Sequence, residues 1–248
     1  MLEVQNLSKS YKGKQALFSV SFTLENGVYG LLGPNGAGKS TLINLLTDNL
    51  TPDSGSVLWE GQPISKLGRR YRDILGFMPQ QQGIYDEFTG RRFLTYIAAL
   101  KEMPKKTAMQ EIERTSRLVN LQDELDKRLG AYSGGMKQRI LIAQAIMGTP
   151  KLLIFDEPTA GLDPYERVRT RNLFETLGKE SIVLVATHVV SDVESAADKI
   201  LLLQKGNLAA FDTPNNLIEQ VAPGGKLEDV YLHFFENEEG DYVPSSSL

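Results

Sequence analysis

The 248 residues carry 27 basic and 31 acidic side chains, a formal net charge of −4, spread along the chain; no basic stripe is offered to a phosphate backbone, so nucleic acid is not an expected partner. There is no cysteine, which excludes disulfides and thiolate metal sites, and the two histidines, His188 and His233, make no ligand cluster. With 41% hydrophobic residues, 22 glycines and 11 prolines the composition is that of a globular protein, long enough for one large α/β domain or a core with a lobe.

Met1, Leu2, Glu3 and Val4 lack the basic flank and apolar core of a secretory leader, so the expectation is a protein that stays where it is made. Phe18, Val20, Phe22 and Leu24 alternate with polar or small residues, the period of a half-buried strand, and residues 56–59 read as another. Together they predict a small antiparallel layer. The runs 28–32, 152–155, 182–186 and 200–203 are instead apolar throughout, as strands covered on both faces are. All are far shorter than the ~20 residues of a membrane-crossing helix. Helical stretches separate them, so the core is expected to be α/β with a mostly parallel sheet.

From about 85 to 147 the pattern turns helical, with Met109, Ile112, Ser116 and Val119 at helical spacing among charged residues and Pro104 and Gly130 as stops. This predicts a helical lobe inserted into the core of a domain spanning 1–221. From residue 222, Ala-Pro-Gly-Gly and the acidic run 236–241 lead to a polar end, and 222–248 is expected to be a short mobile tail.

Gly33, Pro34, Asn35, Gly36, Ala37, Gly38, Lys39 and Ser40 follow the apolar run 28–32 and open a helix-like stretch beginning at Thr41. Strand, loop and helix together are the context a phosphate-binding P-loop requires. Glycines let successive N–H groups turn inward on phosphates, and the helix N-terminus adds partial positive charge. Lys39 is then placed for the β and γ phosphates and the Ser40 hydroxyl for Mg²⁺, with Thr41 beside them. The loop by itself says only nucleotide.

The run 152–155 ends in Asp156 and Glu157, two acids at the C-terminal edge of a sheet, where ligands of such folds sit. Asp156 suits Mg²⁺ held through water, and Glu157 suits the orienting and polarising of an attacking water.

Tyr132, Ser133, Gly134, Gly135, Met136, Lys137, Gln138 and Arg139, lying between the phosphate loop and the acidic strand, resemble the signature sequence of the ABC ATPase family, and the order of motifs agrees over about 2–220. That family has the RecA-like P-loop NTPase fold. Gln80, after Phe77, Met78 and Pro79, resembles its Q-loop, which implies contact with Mg²⁺ and sensing of the γ-phosphate. Asp163, after Ala160, Gly161 and Leu162, resembles its D-loop, His188 its switch histidine, and Tyr11 its adenine-stacking aromatic residue. Ser133 sits at the N-cap of a helix expected to run through Ile146, and Gly134 and Gly135 leave its first N–H groups bare for an anion. In the family that anion is the γ-phosphate held by the opposite subunit.

The resemblance therefore implies an ATPase using ATP and Mg²⁺, pairing with a second ATPase subunit, a homodimer being favoured over a heterodimer, and driving an integral membrane subunit from the cytoplasmic side. Residues 227–233 resemble the short tail of exporter subunits, and the chain leaves too few residues for the regulatory domain of many importers, which favours export. A non-transport ABC ATPase acting on nucleic acid or ribosomes stays open, though the long coiled coils and zinc modules of that class are missing from the sequence. A P-loop kinase or GTPase would lack the Ser-Gly-Gly signature and the paired acids. Three positions depart from the pattern: Met136 stands where glutamine is common, Tyr132 where leucine is usual, and Arg92 where relatives place an acid.

Overall fold

A computed structural model describes residues 1–80 and 83–235, so Gln81, Gln82, the acidic run 236–241 and the polar end after it lie outside the described residues. The chain begins with a hairpin, β1 (Leu2–Tyr11) and β2 (Lys14–Leu24), then enters β3 (Gly27–Leu32) and helix α1 (Lys39–Leu46). β4 (Ser54–Trp59) and the two-residue β5 (Gln62–Pro63) return to the hairpin and complete an antiparallel sheet of order β2-β1-β4-β5. Short helices α2 (Ile64–Leu67) and α3 (Arg69–Ile74) lead into β6 (Leu75–Met78), and the helices α4 (Gly90–Leu100), α5 (Lys105–Leu118) and α6 (Gly134–Ala145) follow as the inserted lobe.

β7 (Leu152–Asp156), α7 (Pro164–Gly178), β8 (Ile182–Ala186), β9 (Lys199–Gln204) and β10 (Asn207–Asp212) complete the core. The central sheet has the order β10-β9-β3-β8-β7-β6. Its pairings are parallel except for β10 on β9. Alternate residues of its strands feed two cores: Ile154, Leu184 and Leu201 pack toward the antiparallel sheet and α1, while Phe155, Val185 and Leu202 pack toward the helical side. Both faces are dry, which is why these strands carry no polar alternation.

The insert sits between two neighbouring parallel strands, β6 and β7, so it is an elaborated crossover. Its last helix returns to the sheet: a Cβ on Gly76 of β6 would overlap the backbone carbonyl of Ala145 at the end of α6. Ile112, Ser116 and Val119 are buried as their spacing predicts, but Met109, grouped with them, is 65% exposed. The described part of the expected tail is helical. After α8 (Pro214–Val221), residues 227–235 form α9 (Leu227–Phe235), which buries Leu227, Val230 and Phe235 against the helical-side core. Apolar residues at 227, 230 and 235 give this helix a face to bury, which outweighs the Pro-Gly-Gly turn before it.

Candidate functional site

Four strands deliver the site because their C-terminal ends are in register. Leu31 of β3 and Asp156 of β7 both pair with Ala186 of β8, and Met78 of β6 pairs with Phe155. The residues that follow, Gly33, Glu157, Thr187 and Gln80, therefore emerge along one edge of the sheet. A cleft of about 180 Å³ opens there. The loop residues Pro34, Asn35, Gly36 and Gly38, the start of α1 (Lys39, Ser40, Thr41), Gln80, the acids Asp156 and Glu157, and Ala16 of β2 line it. Two larger hollows, about 490 and 550 Å³, lie on the helical lobe. Chemistry, not size, singles out the smaller one.

Within the loop, Gly38 has φ of 111° and caps α1, and a Cβ there would come 2.8 Å from Ala16 O. Glycine is required at that point by the chain itself. Gly33 is pressed against Leu203 and Ala37 in the same way, whereas a Cβ on Gly36 would meet nothing within 4 Å. Lys39 Nζ donates to the carbonyls of Gly33 (2.5 Å) and Pro34 (3.2 Å), folding over the loop. Burial pushes the Lys39 ammonium below the usual lysine range, with Glu157 and Asp156 opposing. Burial pushes the Asp156 carboxyl up, the neighbouring Glu157 adds to this, and Lys39 opposes it. An ammonium and a carboxylate both held short of full solvation are ready for a charged ligand.

Glu157 turns out of β7 at φ 52°, a left-handed conformation uncommon for a non-glycine residue. Its N–H donates to Ala186 O (2.8 Å), and its carbonyl accepts from Gln138 Nε2 of α6 (2.7 Å). Both carboxylate oxygens are held: Thr187 Oγ1 donates to Oε2 (3.2 Å), His188 N–H donates to Oε1 (3.1 Å), and His188 Nδ1 lies 2.8 Å from Oε1. The His188 side chain is 64% exposed. It is therefore not the satisfied core histidine that its place after a buried strand also allows.

The remaining predicted residues stand outside the cleft. Ser133 caps α6, accepting from Met136 N–H (3.2 Å), so the helix start is less bare than expected. A hydroxyl that accepts this bond keeps its own proton to donate outward. A Cβ on Gly134 would meet nothing within 4 Å, and one on Gly135 would meet only Leu162 Cδ2 (3.4 Å) and Gly161 O (3.8 Å). Asp163 caps α7, accepting from Glu166 N–H at 2.9 Å. Tyr11 ends β1, 46% exposed at the hairpin turn. Sequence reasoning missed Thr187 and Gln138, whose roles are set by packing, and Asp192, a buried carboxylate bonded by Thr159 Oγ1 and by Arg167 (3.3 Å). Asp192 thus ties the turn after Glu157 to the segment after His188.

Among the described residues no cluster of three or more His, Asp or Glu side chains forms a metal site of its own. The cleft instead offers the Ser40 hydroxyl, the Gln80 amide and the Asp156 carboxylate. Such oxygen donors fit Mg²⁺ that is completed by phosphate and water.

Residues 17–160 match the sequence family described as ABC transporter. An uncharacterized ABC transporter ATP-binding protein of Bacillus subtilis (strain 168), YxlF, is 39% identical over 84% of this chain and 70% of its own length. Nod factor export ATP-binding protein I of Rhizobium sp. (strain N33) is 34% identical over 88% of this chain and 73% of its own length. A solved ATP-binding subunit of an ABC transporter superposes with a TM-score of 0.85 at 27% identity, over 94% of this chain and 99% of that one.

Asp156→Asn removes a half-buried charge beside Glu157. The Asp156 carboxyl is raised above its ordinary 3.8, so its ionised form is disfavoured in the folded protein; that penalty is complete above the raised value and vanishes below 3.8, where both states are protonated. Urea unfolding of the nucleotide-free chain is expected to show the variant more stable near neutrality. The gap is expected to close at acid pH, and a variant less stable near neutrality contradicts the assignment.

Proposed function

The chain belongs to the ABC transporter family of ATP-binding, ATP-hydrolysing domains, and from that premise we propose that it is the ATPase subunit of an exporter, closing in pairs around Mg-ATP to drive a separate membrane-spanning partner. The observation that carries the paired arrangement is the open space at Gly134 in the signature turn. Glycine in an early helical turn costs roughly 1 kcal/mol against alanine, yet the chain's own packing leaves open space at Gly134. A ligand approaching from outside accounts for that residue, and the turn does not line the chain's own phosphate cleft.

In this reading Lys39, the N–H groups of 33–41 and the start of α1 hold the phosphates of one nucleotide, and Tyr11 stacks on its adenine. Ser40, Gln80 and Asp156 would hold Mg²⁺, which supplies charge neutralisation at the β and γ phosphates. Ser133, Gly134 and Gly135 of a second copy close over the γ-phosphate with the N-terminus of α6, and Asp163 lies at the same seam. Glu157, braced by Thr187 and His188, takes the proton of the attacking water. Hydrolysis removes the bridging charge and the pair opens, a two-state change controlled by ligand. Since one chain carries both halves of the shared site, a homodimer suffices.

Export is supported by relatives named for export, such as the Nod factor protein. Attachment to the cytoplasmic face of the membrane runs through the partner; no helix among the described residues is long and apolar enough to cross a bilayer.

Glu157→Gln is expected to bind ATP as the parent does and to hydrolyse it about 10²-fold or more slowly, measured by phosphate release on the purified chain. Parental turnover in that variant would remove Glu157 from the role. Affinity capture of the tagged chain from detergent-solubilised membranes is expected to recover an integral membrane subunit. Recovery of ribosomes or DNA in its place would turn the reading to a non-transport ATPase.

A further inference from the structure

The segment joining α5 to α6 is bound edge to edge to the chain ahead of α4. Leu129 N–H donates to Phe88 O (2.8 Å), Gly130 N–H to Asp86 O (3.0 Å), Gly90 N–H to Lys127 O (3.2 Å) and Arg91 N–H to Leu125 O (2.8 Å). Thr89 and Arg128 form a β-bridge in the middle of this zip. The exposed ion pairs Arg91–Asp126 (2.8 Å) and Lys137–Asp86 (3.1 Å) add little. The backbone bonds set the geometry.

Tyr132 is packed into the end of the zip, 5% exposed, in the position where the resemblance places leucine. Its hydroxyl donates to Glu124 O at 2.8 Å. The same oxygen sits so close to Gly90 that a Cβ there would overlap it, with Cζ only 3.3 Å away and Leu125 O at 3.3 Å on the other side. Burial pushes the Tyr132 phenol up to about 12, with Glu124 and Asp126 adding to this, so it remains a neutral donor in the physiological range. The next residue is Ser133, whose hydroxyl caps α6. A buried ring held at its hydroxyl end thus stands one peptide bond from the signature turn.

From this contact we infer that Tyr132 is a positioning residue for the shared nucleotide site: its phenol, seated on Gly90 and bonded to Glu124 O, holds the Ser133–Gly135 turn in the orientation that receives phosphate. The inference rests on the paired reading above. A hydroxyl that loses its buried carbonyl partner, or is displaced by a methyl group, re-aims the turn while leaving the phosphate loop of the same chain untouched. Binding of ATP by a single chain is then unaffected, and closure of the pair is weakened.

The test uses the full chain in the Glu157→Gln background, with ATP-dependent dimerisation read by sedimentation velocity and single-chain ATP affinity by titration of a fluorescent analogue. Tyr132→Phe keeps the packing and strips the hydrogen bond; the unmet Glu124 carbonyl is expected to lower the melting temperature slightly, and the re-aimed turn to weaken the dimer by about tenfold at unchanged single-chain ATP affinity. Gly90→Ala is expected to weaken the dimer more, and Gly90→Ala with Tyr132→Leu to recover to about the level of Tyr132→Phe, since the shorter side chain clears the added methyl group but makes no bond to Glu124 O. If Gly90→Ala does not fold, Tyr132→Phe decides alone. A parental dimer constant in Tyr132→Phe, or a double variant as weak as Gly90→Ala, overturns the positioning role and leaves the shared site standing. No ATP-dependent dimer in the Glu157→Gln parent overturns both.

Discussion

The structure depends on one constraint: parallel strands β3, β6, β7 and β8 end in register, so that loops from four separate parts of the chain open on a single edge. A parallel sheet places all its C-terminal ends on one side, and crossovers must carry the chain back each time. Phosphate loop, carboxylate pair, glutamine and histidine are distant in sequence and neighbours in space for that reason alone. The helical lobe is one of those crossovers enlarged, anchored where α6 rests its Ala145 carbonyl on Gly76. Through Gln138, the same helix reaches the backbone of Glu157. Signature and carboxylate pair therefore share a rigid support.

The site works against the stability of the chain that holds it. Lys39 and Asp156 are both shifted by burial away from their charged forms, Glu157 sits in a left-handed backbone conformation, and Gly134 lies where no neighbour requires glycine. Local rules broken together at one edge mark function rather than folding.

Much of this was legible in the sequence because the strongest signals are local. The apolar runs predict β3, β7, β8 and β9, the alternation from Phe18 predicts β2, and the glycine pattern with its flanking strand and helix predicts the loop. Elements whose pattern is broken were not legible. β1 loses its alternation where its pairing slips between Val4 and Leu7 at a left-handed Asn6, β6 is four residues with a glycine, and the edge strand β10 is only half buried. α9 was hidden behind a Pro-Gly-Gly turn, and Met109 shared the helical spacing of its neighbours without their burial. The bracing of Glu157 by Thr187 could not be read either, since it arises only when β7 and β8 lie side by side.

The central claim, that each nucleotide is gripped by the phosphate loop of one copy and the signature turn of another, is tested most directly by mixing two inactive variants. Lys39→Ala disables the loop, and Gly135→Asp puts an acid at the turn. Each variant alone spoils both sites of its own dimer, whereas a mixed dimer contains one site with neither change. ATP hydrolysis in the mixture is expected well above the sum of the two variants measured apart. A mixture that hydrolyses no more than that sum, in dimers shown to exchange subunits, would contradict the claim.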